Sequence, residues 1–153
     1  IMSILNFNYQ NPTRIIFGQG QIAEISNYIP KDKKVFMCYG KGSIKRNGVY
    51  DQVMTALKGY EVTEFQGIEA NPDYDTLMKA VAILKENGPE NYFILAVGGG
   101  SISDGCKFIA MAAFYNGENP YEDLLMKGGV GCPKSVPLGV IMTLPATGSE
   151  SNQ

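Results

Sequence analysis

The chain contains no histidine. Histidine is the commonest general acid–base side chain and the commonest transition-metal ligand, so no self-contained histidine-based or metal-dependent catalyst is expected. Cysteine is scarce. Cys38, Cys106 and Cys132 match no zinc-ligand spacing, and an odd number completes no disulfide framework. Cys38 falls in an apolar strand pattern and Cys106 in an apolar helical one; all three are read as reduced core or loop thiols of a cytoplasmic protein. Excess positive charge is also lacking. Thirteen Lys and Arg against 15 Asp and Glu leave a formal net charge of −2, which provides no basic footprint for nucleic acid. No apolar run reaches the roughly 18 residues of a membrane-spanning helix. No basic-then-apolar signal segment opens the chain, so no membrane partner is expected.

What is present fits one packed domain: 153 residues, 44% of them hydrophobic and 18% charged. The 18 glycines and 8 prolines gather at the ends of apolar segments, as tight turns in an ordered fold require. Residues 13–17 (TRIIF) read as a strand, followed by a short helix carrying Ile22, Ile25 and Ile29. Residues 33–39 (KKVFMCY) read as a buried strand. Helical spacing of Val49, Val53, Ala56 and Leu57 follows over residues 44–58, and 60–66 (YEVTEFQ) alternates like a strand nearer an edge. Asn71-Pro72-Asp73 reads as a helix start with Asn71 as N-cap and Pro72 in the first position. Leu77, Ala80, Val81 and Leu84 then form one apolar face. Residues 92–97 (YFILAV) are a second buried strand, followed by an apolar helix from about Ile102 to Tyr115. Residues 116–135 read as irregular, and 138–144 (LGVIMTL) as a further buried strand. This alternation predicts an α/β fold with a doubly wound, mostly parallel sheet.

In such a sheet ligands bind beyond the carboxyl ends of the strands. Gly98-Gly99-Gly100-Ser101-Ile102-Ser103-Asp104 lies between a buried strand and a helix. Glycines allow close backbone approach, and a helix N-terminus offers free N–H groups to an anion such as a pyrophosphate. The GxGxxG fingerprint is not met, because Ser103 takes the last glycine position, and no GxxxxGK occurs. A capping box, with Ser101 as N-cap and Asp104 three residues on, is the structural alternative. It accounts for Ser101 and Asp104 but not for three successive glycines. Tyr39-Gly40-Lys41-Gly42-Ser43 closes the first buried strand of the alternating series. The acid that binds an adenosine ribose in many dinucleotide folds is missing there. Glycines, Lys41 and Ser43, with Lys45 and Arg46 behind them, suit a 2′-phosphate; an ordinary Gly-rich turn is the alternative. Thr143-Leu144-Pro145-Ala146-Thr147-Gly148-Ser149-Glu150 crowds hydroxyls past the last strand, as a ribose or phosphate subsite or as a polar turn. No nucleophile–base pair is visible, since neither Ser101 nor Ser149 has a histidine to activate it.

GGGSxxD at Gly98–Asp104 and TxPxTGSE at Thr143–Glu150 resemble the iron-containing alcohol dehydrogenase family. The opening Asn6…Pro12-Thr13-Arg14-Ile15-Ile16-Phe17-Gly18 and Tyr39-Gly40-x-Gly42-Ser43 bring it nearer the NADPH-dependent butanol dehydrogenase and aldehyde reductase branch. GGGSxxD alone is shared with glycerol dehydrogenases and dehydroquinate synthases. The resemblance implies a Rossmann-like dinucleotide-binding domain over residues 1–153. This would be the N-terminal domain of a two-domain enzyme, incomplete at its C-terminal end. It implies that Gly98, Gly99, Gly100 and Ser101 hold the pyrophosphate of NADP(H) and that Asp104 lies by the nicotinamide ribose. Thr143, Leu144 and Thr147 would line the adenine and ribose side, with Asn71 near the adenosine and Ser149 toward the nicotinamide. Gly40 falls where NAD-preferring relatives carry aspartate, and removing that carboxylate is expected to leave space for the 2′-phosphate beside Lys41, Gly42 and Ser43. In that family Fe²⁺ or Zn²⁺, held by one aspartate and three histidines of a helical C-terminal domain, polarises an aldehyde or alcohol for hydride transfer. None of those ligands is present here, so this chain is expected to be an inactive fragment of a parent enzyme that works as a homodimer. The alternatives are a stand-alone nucleotide-binding module and an NAD-using lyase or synthase built on the GGGSxxD domain.

Overall fold

The computed structural model describes residues 13–16, 19–68, 72–115 and 134–143. Its central strand, Tyr92–Gly98, is buried along its whole length, as a strand covered on both faces must be. Its backbone groups have no access to water, so both edges need partners. Lys34–Tyr39 supplies one and Leu138–Met142 the other, both parallel to it. Val62–Gln66 pairs with the outer edge of the first, and Thr13–Ile16 with the outer edge of the second. Numbered along the chain as β1 (13–16), β2 (34–39), β3 (62–66), β4 (92–98) and β5 (138–142), the five strands run in the order β1-β5-β4-β2-β3. As expected, β3 lies at an edge and its side chains are only partly covered.

Alternation along the strands builds two cores. Phe36, Cys38, Ile94, Ala96, Leu138 and Val140 point to one face, where α3 (Tyr74–Asn87) packs Leu77, Ala80, Val81 and Leu84, and α4 (Gly100–Ala112) packs Cys106, Phe108 and Ile109. Val35, Met37, Tyr39, Phe93, Leu95, Val97 and Ile141 point to the other. That face is closed by Ile22, Ile25 and Ile29 around the 3₁₀ segment Gln19–Asn27, by Ile44 of α1 (Ser43–Arg46), and by Val53 and Leu57 of the α2 (Val49–Ala56) region. Cys38 and Cys106 are buried free thiols; Cys132 lies outside the described residues.

From β2 the chain moves outward to β3 over one face, then returns across β2 on the other face to β4 and continues to β5. The direction of winding therefore reverses between β2 and β4. The carboxyl ends of these two neighbours, with that of β5 beside them, border the crevice where ligands of open α/β sheets bind.

Three local expectations are corrected. The helix expected over 44–58 is two helices, because Gly48 at φ 85° turns the backbone between α1 and α2. The N-cap of α3 is Asp73, not Asn71, which lies outside the described residues. Asp73 is extended and its carboxylate accepts a hydrogen bond from the Thr76 N–H at 2.7 Å, leaving Pro72 ahead of the helix. Helix α4 starts at Gly100, before Ile102, and ends at Ala112 with a turn beyond it. The irregular segment expected from residue 116 lies outside the described residues up to 133.

The cap makes a testable prediction. Donation from the Thr76 backbone holds the Asp73 carboxyl below its ordinary pKa. The resulting stabilisation is present above the unfolded value of about 3.9 and is lost as pH falls through the folded value. Asp73→Ala should melt below the parent at neutral pH, with the gap closing in acid. A gap independent of pH in thermal melts would remove the charge from the account.

Candidate nucleotide-binding site

The β4 end is the best-defined part of the site. The register that pairs Tyr39 with Val97 sets Gly40 and Gly98 side by side at the ends of β2 and β4. Gly98 has φ 150°, which only glycine adopts without strain, and a Cβ there would meet Ile102 Cδ1 at 2.4 Å. Gly99 is extended and is the N-cap of α4, with no side-chain cap. The Ser103 N–H donates to Gly99 O at 3.3 Å. The N–H groups of Gly100, Ser101 and Ile102 thus precede the helix's own hydrogen-bond ladder, at the positive end of its dipole. Ser101 is exposed inside the first turn, so the capping-box alternative is not what forms: the cap position is occupied by glycine. Gly99 and Gly100 are exposed, and among the described residues an added Cβ on either would meet nothing within 4 Å.

The β2 end is braced by β3. The Gly67 N–H donates to Tyr39 O and Gly40 O, both at 3.0 Å, and the Ile68 N–H to Tyr39 O at 3.1 Å. The Gln66 side chain donates from Nε2 to Lys41 O at 2.9 Å. Gly42 at φ 130° turns the chain into α1, with Lys41 and Ser43 exposed on either side. Lys45 does not extend freely: its ammonium stands 5.6 Å from the Tyr39 ring and 5.0 Å from the Tyr50 ring. Both tyrosine hydroxyls donate to the Glu64 carboxylate at 2.8 Å. Burial, and then that carboxylate, push the Tyr39 hydroxyl well above its ordinary pKa.

At the third strand end the Thr143 N–H donates to Gly98 O at 3.1 Å, tying β5 to the glycine turn. Leu144, Thr147, Ser149 and Asn71 lie outside the described residues. Gly40, Lys41, Gly42 and Ser43, then Gly98, Gly99, Gly100 and Ser101, and Thr143 therefore gather along three adjacent strand ends. Asp104 follows on the first turns of α4, half-buried beside Lys107 at 4.0 Å.

A family model for iron-containing alcohol dehydrogenases matches residues 12–153. The chain belongs to that family. It is 52% identical over 147 residues to the NADPH-dependent aldehyde reductase YqhD of Escherichia coli, covering 96% of this chain and 38% of that protein. A solved structure of YqhD superposes with a TM-score of 0.79, over 95% of this chain and 37% of that one. The NADP-dependent alcohol dehydrogenase 3 of Entamoeba histolytica is 46% identical, covering 99% of this chain and 39% of that protein. A probable NADH-dependent butanol dehydrogenase of Bacillus subtilis is also 46% identical, over 96% of this chain and 38% of that protein. The chain spans little more than a third of the length of these relatives.

Within this family member, one expectation about the glycines changes. Space was expected at Gly40, but a Cβ there would lie 3.3 Å from Ile68 O, tighter than an ordinary contact, and 3.6 Å from Ile102 Cδ1. Gly99 has a φ of −89°, which any L-residue adopts. Sequence reading also missed Ile102, Gln66 and Ile68. Ile102 carried a signal in its place one residue after the GGGS run, but an apolar residue opening an apolar helix reads as core. Among the described residues no group of three or more Cys, Asp or Glu side chains could hold a metal ion, and the chain has no histidine. The residues described do not fit the family's metal. No helix among them is long and apolar enough to cross a membrane.

Desolvation raises the Asp104 carboxyl above its ordinary pKa, partly offset by Lys107. The folded state therefore holds this proton more tightly than the unfolded chain does. Stability linked to it is full below the unfolded pKa of about 3.9 and is lost as pH rises through the folded value. Asp104→Asn should consequently melt above the parent at neutral pH, with the advantage vanishing below about pH 3.9. Thermal melts across that range check it; a variant less stable than the parent at neutral pH would show that Asp104 is structural.

Proposed function

We propose that this chain is the nucleotide-binding part of an NADP(H)-dependent oxidoreductase that interconverts aldehydes and primary alcohols by hydride transfer. The observation that carries the reading is the pair Gly99 and Gly100. Neither has a positive φ, and among the described residues neither faces an atom that a Cβ would touch. Gly99 is the N-cap and Gly100 the first residue of α4; glycine is acceptable as a cap, but neither backbone conformation nor crowding among the described residues requires glycine at both positions. A ligand that must approach the backbone closely accounts for both. A pyrophosphate is suited to the unladdered N–H groups and the helix dipole. On this reading Gly98, Gly99, Gly100 and Ser101 take the pyrophosphate, and Asp104 accepts from hydroxyls of the nicotinamide ribose. That assignment explains why a desolvated carboxylate is kept there. Gly40, Lys41, Gly42 and Ser43 take the phosphorylated adenosine ribose. Thr143, Leu144 and Thr147 line the adenine and ribose side, with Asn71 near the adenosine and Ser149 near the nicotinamide.

When bound, the nicotinamide supplies the hydride acceptor or donor; this chain binds and orients it. Residues 1–153 are read as one dinucleotide-binding domain of a longer, homodimeric protein. Iron or zinc would be held by a further helical domain, and that reading follows the relatives' greater length. Preference for NADP(H) rests on the absence of a carboxylate at Gly40 and on the names of the Escherichia coli and Entamoeba relatives, against the NADH of the Bacillus subtilis one.

In the full-length protein Gly99→Val should nearly abolish dinucleotide binding in calorimetric titration while circular dichroism stays unchanged, because the fold has room for the side chain and the ligand does not. A folded variant with parental affinity would reduce the loop to a turn. The parent should prefer NADP(H) over NAD(H), and Gly40→Asp should erase or reverse the preference. Gly40→Ala serves as control for the tight approach of a Cβ to Ile68 O. One charge-assisted hydrogen bond, about 1.5–3 kcal/mol, corresponds to roughly tenfold to a hundredfold selectivity. Lys41→Ala should weaken NADP(H) more than NAD(H), and less so at high salt. Equal kcat/KM for the two cofactors in the parent would mean that the adenosine ribose lies elsewhere.

A further inference from the structure

Ile102 stands in the first turn of α4, where side chains lean back toward the helix N-terminus. Its Cδ1 methyl is the atom nearest the Cβ that Gly98 lacks, at 2.4 Å, and lies 3.6 Å from the Cβ that Gly40 lacks. Gly40 and Gly98 follow directly on the paired residues Tyr39 and Val97, so one methyl group spans the ends of β2 and β4 at the reversal of the sheet. Behind it the Ile68 carbonyl closes the Gly40 side, and the Ile68 side chain approaches Gly105 of the same helix. Ile102 is itself only half-buried. A β-branched side chain in a helix is stiff at χ1, which fixes the Cγ1 atom that carries this methyl.

We infer that Ile102 is a positioning residue that sets the separation between the glycine loop Gly98–Ser101 and the turn Gly40–Ser43. It thereby sets the fit of a ligand that must reach both. The inference rests on the reading that these two segments hold the pyrophosphate and the phosphorylated adenosine ribose of one dinucleotide. Gly98 is a glycine in part because this methyl occupies its side-chain space, and the same methyl lies at contact distance from the Gly40 side, whereas Gly99 and Gly100 face the ligand. The size of residue 102 then governs binding that spans the crevice and leaves binding to either half alone nearly unaffected.

The experiment measures dissociation constants for three probes on the full-length protein: NADP⁺, which spans both segments, adenosine 2′-monophosphate for the Gly40–Ser43 turn, and inorganic pyrophosphate for the glycine loop. Ile102→Val deletes only the Cδ1 methyl and is the variant least able to unfold the chain; Ile102→Leu keeps the volume and moves the methyl. Both should weaken NADP⁺ by about tenfold, within the range of couplings between neighbouring groups, while each half-probe changes less than about twofold. Thermal melts accompany every titration. Equal weakening of all three probes would make Ile102 a merely structural residue and overturn the inference, as would unchanged NADP⁺ affinity in both folded variants. Failure of the parent to bind any of the probes would instead overturn the site reading, and this inference with it.

Discussion

Parallel pairing of β4 on both edges is the constraint on which the rest of the structure depends. A strand with every residue buried can satisfy its backbone only by hydrogen bonds to neighbours. Here both neighbours run in the same direction. Parallel neighbours cannot be joined by hairpins, so each connection becomes a crossover, and the crossovers supply the helices that cover the two faces. Aligned strands also bring their carboxyl ends to one edge. Gly40, Gly98 and Thr143 become spatial neighbours although long stretches of chain separate them.

At that edge the glycines divide by cause. Gly98 answers to backbone conformation and to Ile102, Gly42 to a positive φ, and Gly40 to the Ile68 carbonyl and the same isoleucine. Gly99 and Gly100 answer to neither. A glycine-rich run is thus two kinds of feature side by side. One is required by the fold, and the other is left open at a helix N-terminus whose N–H groups lack internal partners. The proposed nucleotide site rests on the second kind. The brace from β3, through Gln66, Gly67 and Ile68 to the backbone of Tyr39, Gly40 and Lys41, keeps the β2 turn in place beside it.

Charge at the site follows the same logic. Asp104 sits where desolvation raises its pKa and Lys107 offsets only part of that effect. Lys45, by contrast, is engaged by the rings of Tyr39 and Tyr50, whose hydroxyls converge on Glu64. That engagement is set by geometry that composition does not contain.

Much of this was legible in the sequence. Apolar runs ending in glycine marked β2 and β4, and helical spacing marked the buried face of α3. The GGGSxxD and TxPxTGSE motifs marked the family, because these are patterns of local chemistry repeated at fixed spacing. Cap positions were less legible: Asn71 and Ser101 are good N-cap residues by type, but Asp73 and Gly99 hold the positions, since capping depends on where the backbone leaves the helix. Only the tertiary structure decided that one methyl of Ile102 occupies the side-chain space of Gly98 and reaches contact distance from that of Gly40. That contact joins segments far apart in sequence, and it exists only because parallel pairing sets the ends of β2 and β4 side by side.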